Sequence, residues 1–500
     1  MRKTFCILLL AALLFQLTPA AAQAYSYQSD FSDDSDGWVA RSTGGASISP
    51  DNGGLAISGR TSDWHSPGRE FPLVPGKVYE VSTLVFQDAV GSAKMMISVA
   101  HTINGKESYE NLVREDIRKG EWTALSASYT AGQYDRSVLY VETLGAPQIS
   151  FAIKDFSVRE VIGSFAMDLP SLKELYAGYF DFGCAVTGME AINPKLMDFY
   201  ATQFSIMTHG NELKPDSVLD IPASRQLARQ DQAAVAVRID AARPLLDYAQ
   251  EHGIKIHGHV LVWHSQTPEA FFREDYSPSG AFVSREIMLS RLENYIRQVF
   301  ELTGSQYPGL IVSWDVVNEA IDDATGKMRV SNWTKVVGDD FVLQAFRFAK
   351  KYAPEGVMLY YNDYSTPYEP KLTGILSLLA QLVQQRTIDG YGFQCHYQLN
   401  TPGLRQLQNA MDKIIALGLS LRMSEMDILI DKKNEETLQL QARRYGAILE
   451  LFRTYKDQIE AVHTWGVTDN LSWKAKQFPL LFDGQGKPKP AFYAVVDPLR

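Results

Sequence analysis

The chain has 500 residues, 45% hydrophobic and 21% charged, a balance typical of folded globular proteins that excludes a disordered or fibrous chain. The formal net charge is −10; Arg2 and Lys3 are the only charges in the first 24 residues, so the remainder carries −12, which disfavours nucleic-acid or anionic membrane partners. Three cysteines in a chain this long exclude a disulfide framework.

The N-terminus reads as an export signal. Arg2 and Lys3 precede an apolar run over residues 5–17, broken only by Gln16, and Ala20-Ala21-Ala22-Gln23-Ala24 follows. A charged start, an apolar stretch and small residues at the end predict a signal peptide over 1–24 and secretion to an extracellular or periplasmic space. The run is too short to span about 30 Å of hydrocarbon as a helix. Cys6 leaves with this segment. Cys184 and Cys395 sit in apolar strand-like runs and read as buried thiols, with a disulfide as the alternative.

Residues 25–160 are short alternating segments separated by turn signals. The segments lie at 55–58, 78–86, 94–100 and 138–142, and Asp51-Asn52-Gly53-Gly54, Pro75-Gly76 and Asn104-Gly105 fall between them. Period-two runs at this spacing predict an all-β sandwich with no helix. A short linker over 161–169 has no Pro/Ser-rich spacer, so the two domains are expected to lie close together.

From 170 to 500 the rhythm becomes strand then helix, eight times over. The predicted strands are 180–186, 204–208, 254–262, 311–317, 357–361, 390–394, 419–423 and 461–467. Most are continuous apolar runs, as parallel strands covered on both faces should be. Helical spacing separates them, at 239–250, 285–302 and 435–455, the last with Asn434 as its cap. Eight such units close naturally as a (β/α)8 barrel, an α/β fold.

A barrel of this kind carries its chemistry at the C-terminal ends of its strands. There the sequence offers Asn211-Glu212-Leu213-Lys214, His259 to His264, Asn318-Glu319, Asn362-Asp363-Tyr364, Gln394 with His396, Glu425 with Asp427, and Trp465 with Asp469. No glycine-rich phosphate loop and no serine nucleophile elbow is present. Glu319 and Glu425 stand directly after buried strands four and seven, a costly place for an ion unless it has partners or work to do. Two carboxyls facing each other across a mouth, one protonated and one ionised, are what glycosidic cleavage requires. Trp263, Tyr364, Tyr397, Trp465 and Trp473 offer flat faces suited to sugar rings, and Trp314, inside a strand, is assigned to the core. His257 and His259 share a strand face and would also suit the start of a metal site, completed by His396 and Asp469. Amides and tryptophans stand where further ligands should be, so hydrogen bonding to a carboxylate or a sugar hydroxyl is the preferred reading of His259, His264 and His396.

At these residues the chain resembles the family 10 glycoside hydrolases, the endo-β-1,4-xylanases. The resemblance runs in barrel order through Asn211 to Lys214, Gly258 to His264, Trp314 to Glu319, Asn362 to Tyr364, Gly392 to His396, Ser424 to Asp427 and Trp465 to Asp469, then into Pro479-Leu480-Leu481-Phe482-Asp483. It implies Glu319 as acid/base and Glu425 as nucleophile of a retaining mechanism. It implies xylose contacts from Asn211, Lys214, His259, Trp263, Asn318, Gln394, His396, Trp465 and Trp473, to which His264 and Tyr364 are added as strand-end candidates. His396 and Asp427 would hold Glu425. One departure stands out: many members carry Glu before the Asn-Glu pair of strand two, and here that residue is Gly210.

Residues 25–160 resemble family 22 carbohydrate-binding modules through Asp36-Gly37-Trp38, Gly59 to Trp64, Pro75 to Tyr79, Gly120 to Thr123 and Leu139 to Glu142. That resemblance implies a xylan groove lined by Arg41, Trp64, Tyr109 and Glu142. It also implies a structural calcium, for which residues 30–36 with Asp155 are the candidates. The expectation is a monomer acting on xylan and xylo-oligosaccharides with no cofactor and no catalytic metal. The rivals are a barrel hydrolase of mixed-linkage glucan or cellulose, and an inactive polysaccharide-binding protein, whose mark would be a lost carboxylate; neither carboxylate is lost.

Overall fold

The computed structural model describes residues 25–499 apart from 30, 32–33, 42–45, 52–53 and 162–164. The expected signal peptide, with Cys6, and part of the expected linker lie outside the described residues.

Two antiparallel sheets form the first domain. One runs Ser47–Asp51, Gly54–Ser58, Phe151–Glu160, Val78–Phe86, Thr123–Thr130, with Ser26–Gln28 added on Phe151–Glu160; the other runs Val39–Arg41, Ser66–Glu70, Arg136–Leu144, Ser92–Ile103, Lys106–Arg118. Alternation along Val78–Phe86 turns Tyr79, Val81 and Val85 inward, where they join Trp38, Ile97, Leu139, Ile153 and Phe156 in one core. Trp38 meets Phe156 edge-on, with ring centroids 4.5 Å apart. All four predicted segments fall within strands. Lys106–Arg118 was not predicted: it is an edge strand of charged, almost wholly exposed residues, and such strands carry no alternation to read.

The second domain is a closed parallel barrel. Its strands, in order around the barrel, are Asp181–Val186, Ile206–His209, Lys255–Gly258, Ile311–Asn318, Met358–Asp363, Gly390–Phe393, Ser420–Leu429 and Ile459–Thr464, and the third pairs with the fourth to complete the ring. These strands are buried along most of their length, as parallel strands shielded by helices must be. Trp314 is core, as expected. It packs over Gly258, where a Cβ would come within 2.2 Å of the indole, so only glycine admits this contact.

Several boundaries differ from the predicted ones. The third strand stops at Gly258 and resumes only at Val262–Trp263. The seventh continues to Leu429, because Glu425 and Asp427 stay inside the ladder. The predicted helices appear as Arg243–His252, Arg285–Gln306 and Glu435–Arg453. Asn434 caps the last, accepting from Thr437 N at 2.9 Å. Cys184 and Cys395 are buried free thiols. Between the domains, the Asn193 side chain donates to the Gly76 carbonyl at 2.7 Å.

Candidate active site

The strand ends open into one cleft of about 830 Å³. Asn211, Lys214, His259, Trp263, Asn318, Glu319, Tyr364, Gln394, His396, Glu425, Trp465 and Trp473 all line it. His264 does not. It is exposed beside the Trp263 ring and outside the cleft lining, although partial burial lowers its pKa and Glu319 is near enough to oppose that.

Glu319 follows the fourth strand with φ +58, a left-handed conformation that L residues adopt at a cost. Its carboxylate accepts from Trp263 Nε1 at 2.9 Å, Asn318 Nδ2 at 3.1 Å and Gln394 Nε2 at 2.9 Å. Glu425 lies in the seventh strand and is buried, accepting from Asn362 Nδ2 at 2.7 Å and facing His396 Nε2 at 3.1 Å. Amides join the two. Gln394 Nε2 and Asn362 Nδ2 both donate to Asn318 Oδ1, at 3.0 and 3.1 Å.

Behind Glu425, His396 Nδ1 meets Asp427 Oδ2 at 3.0 Å, and Trp473 Nε1 donates to the same oxygen at 2.8 Å. Burial alone would lower the basicity of His396, but Asp427 and Glu425 outweigh it and push its pKa up to about 10. The ring is an imidazolium at neutral pH, a positive charge against Glu425. The value is raised above the ordinary one near 6.5, so the stabilisation is complete below about pH 6.5 and is lost as pH rises through about 10. At about 1.4 kcal/mol per unit, wild type should lose on the order of 3–4 kcal/mol of unfolding free energy between pH 7 and 10.5. Urea denaturation across that range checks this, since His396→Gln should lack the extra slope.

On the other side, Lys214 Nζ reaches Asn211 Oδ1 at 3.1 Å and Gln266 Oε1 at 3.0 Å, and lies 5.1 Å above the Trp263 ring. Gly210 lines the wall here, leaving two amides and an ammonium with no carboxylate at that position. Gln266 and Asn362 were not among the predicted site residues. Gln266 sits in a loop that no strand end marks, whereas Asn362 was flagged by its place after strand five and not assigned a role.

The histidine-based metal reading meets full partners instead. His257 Nε2 and His259 Nδ1 converge on one oxygen of the buried Asp315, at 3.0 and 2.8 Å. Burial lowers the His257 pKa to about 4 despite that neighbour. His396 is engaged as above, and Asp469 pairs with Lys489 at 3.1 Å. Among the described residues, no group of three or more His, Cys, Asp or Glu side chains is arranged to hold a metal ion.

In the first domain, Arg41, Trp64, Tyr109 and Glu142 line a second open cleft on the five-stranded sheet. Trp64 and Tyr109 are exposed, and the Arg41 guanidinium lies 3.6 Å over the Tyr140 ring. Glu142 is buried and accepts from Ser98 Oγ at 2.7 Å, and desolvation raises its pKa. Of the residues expected to hold calcium, Asp36 is described with protein partners of its own. Asp36 is ion-paired to Arg69 at 2.8 Å and accepts from Tyr27 OH at 2.6 Å. Asp30 and Asp33 lie outside the described residues.

A model described as "Carbohydrate binding domain" matches residues 23–147. The endo-1,4-beta-xylanase A of Thermoanaerobacterium saccharolyticum is 32% identical over 464 residues, 89% of this chain and 38% of that protein. The endo-1,4-beta-xylanase of Geobacillus stearothermophilus is 33% identical over 348 residues, 66% of this chain and 98% of that protein. A solved structure of the CBM22-1–GH10 modules of Clostridium thermocellum endo-1,4-beta-D-xylanase 10B, complexed with xylohexaose, is 29% identical with a TM-score of 0.63, covering 95% of this chain and 98% of that one. The chain spans about a third to a half of the length of several longer curated relatives. A model described as "Glycosyl hydrolase family 10" matches residues 171–498, more than half of the sequence and all eight strand ends that form the cleft, and the chain belongs to that family.

Proposed function

We propose that this protein is a secreted endo-1,4-β-xylanase that cleaves internal β-1,4-xylosidic bonds with retention of anomeric configuration. The observation that carries this reading is the pairing of Glu319 and Glu425 in one cleft, joined by amides, with the His396 imidazolium against Glu425 alone.

In the first step Glu425 attacks the anomeric carbon while Glu319 gives its proton to the departing glycosidic oxygen, leaving a xylosyl ester on Glu425. In the second, Glu319, now ionised, takes a proton from water. The hydroxide oxygen bonds to the anomeric carbon, and Glu425 is released as carboxylate. Two displacements at one carbon restore its configuration. Proton NMR of the first product should show the β-anomer, and reducing ends should be released from xylan much faster than from β-glucan. The α-anomer, or preference for glucan, would overturn the assignment.

The first domain is proposed to hold the polymer through Trp64, Tyr109, Arg41 and Glu142, two exposed rings beside two hydrogen-bonding groups. Covering an exposed indole with the apolar face of a sugar removes apolar area from water at about 25 cal/mol per Å², so roughly 55 Å² is worth about 1.4 kcal/mol. Trp64→Ala should therefore weaken retention on insoluble xylan by roughly tenfold and leave kcat/KM on xylotetraose unchanged. Export through the N-terminal signal and action as a monomer belong to the same proposal; neither calcium nor any other cofactor enters its chemistry.

A further inference from the structure

Beneath Glu319 lies a second layer of largely buried polar groups that meets the cleft lining only at Tyr364. Glu319 N donates to Asn362 O at 2.9 Å, and its carbonyl accepts from Arg329 Nε at 3.0 Å. The next two peptide N–H groups, of Ala320 and Ile321, both donate to the Tyr361 hydroxyl, at 2.9 and 3.2 Å. With the phenol oxygen accepting twice, its proton goes to the one acceptor within reach, Asp363 Oδ2. The other oxygen of Asp363 accepts from Lys371 Nζ at 2.7 Å and from Tyr364 N at 2.9 Å. Lys371 is itself buried, bonds Asp323 Oδ1 at 2.6 Å, and lies 3.5 Å over the Tyr364 ring. Arg329 also donates to the Ile321 carbonyl at 3.2 Å and to Tyr364 OH at 2.9 Å.

A buried lysine–aspartate pair is a costly way to fill space, since apolar side chains of the same volume often serve stability as well or better. Here it fixes the direction of one phenol, and that phenol grips the two peptides that follow the left-handed turn at Glu319. We propose that Tyr361, oriented by Asp363 and Lys371, acts with Arg329 to set the angle from which Glu319 delivers its proton. They are positioning residues, acting through Glu319 without touching substrate. The inference rests on the acid/base reading of Glu319.

Tyr361→Phe and Arg329→Met test it, the second at a loop position whose side chain is 20% exposed, and thermal unfolding of each variant checks that it is folded. The measurement is kcat/KM on aryl β-xylobiosides, which reports formation of the xylosyl-enzyme. A phenyl leaving group needs the proton and a 2,4-dinitrophenyl group does not. Each variant should lose about tenfold or more on the phenyl substrate and less than about threefold on the dinitrophenyl one, with KM for xylohexaose unchanged. An equal loss on both substrates, or none on either, overturns the proposal. Glu319→Ala, run alongside, should show a steeper dependence on leaving group. If it does and the other two variants do not, this inference alone fails. If it does not, the acid/base reading fails and takes the inference with it.

Discussion

Glu425→Gln should abolish xylan hydrolysis, with kcat reduced by at least about 10⁴-fold, some 5.5 kcal/mol of transition-state stabilisation. The amide has the shape of the carboxylate but no nucleophilic oxygen, so the ester that divides the reaction into two easier steps cannot form. Its surroundings survive the change. The new carbonyl still accepts from Asn362 Nδ2, and the new NH₂ donates to His396 Nε2 once that ring is neutral, with Nδ1–H kept on Asp427. Xylohexaose binding measured calorimetrically should stay within a few-fold of wild type. Turnover within tenfold of wild type would remove Glu425 from the nucleophile's role.

Glu319→Ala should lower kcat on xylan by about 10²–10⁴-fold, the range for loss of a general acid. The distinguishing result lies with activated substrates. On 2,4-dinitrophenyl β-xylobioside the first step needs no acid, so a burst of dinitrophenolate should precede slow turnover, and mass spectrometry should find the sugar on Glu425. Azide, small enough for the space the side chain leaves and needing no base, should speed the second step and yield β-xylobiosyl azide. Absence of both the burst and the azide acceleration would remove Glu319 from the acid/base role.

The two candidate carboxyls and the barrel were legible because parallel strands leave a plain trace: a run of apolar residues, then an abrupt polar one. Glu319 obeys that pattern. Glu425 was found by it for a partly mistaken reason, since Ser424-Glu425-Met426-Asp427 looks like the polar end of a strand yet lies within one, its acids kept there by Asn362, His396 and Trp473. His264, one residue beyond Trp263, falls outside the cleft lining. Lys106–Arg118 left little trace, because of its side chains only Ile117 is buried, with Leu112 and Val113 partly so, too few to encode a face. Gln266 and the grip on Glu319 from Tyr361 and Arg329 are tertiary: nothing in the spacing of residues 319, 329 and 361 announces that they meet.

The amides that join the two carboxyls have one more effect. From Glu319 the path runs through the NH₂ of Gln394, the oxygen of Asn318 and the NH₂ of Asn362 to Glu425. Carboxamide hydrogens are not acidic at any pH a protein survives, nor are carboxamide oxygens basic, so this path conducts no proton even though each link is short. The bridge fixes the spacing and orientation of the two carboxyls while passing no proton along itself.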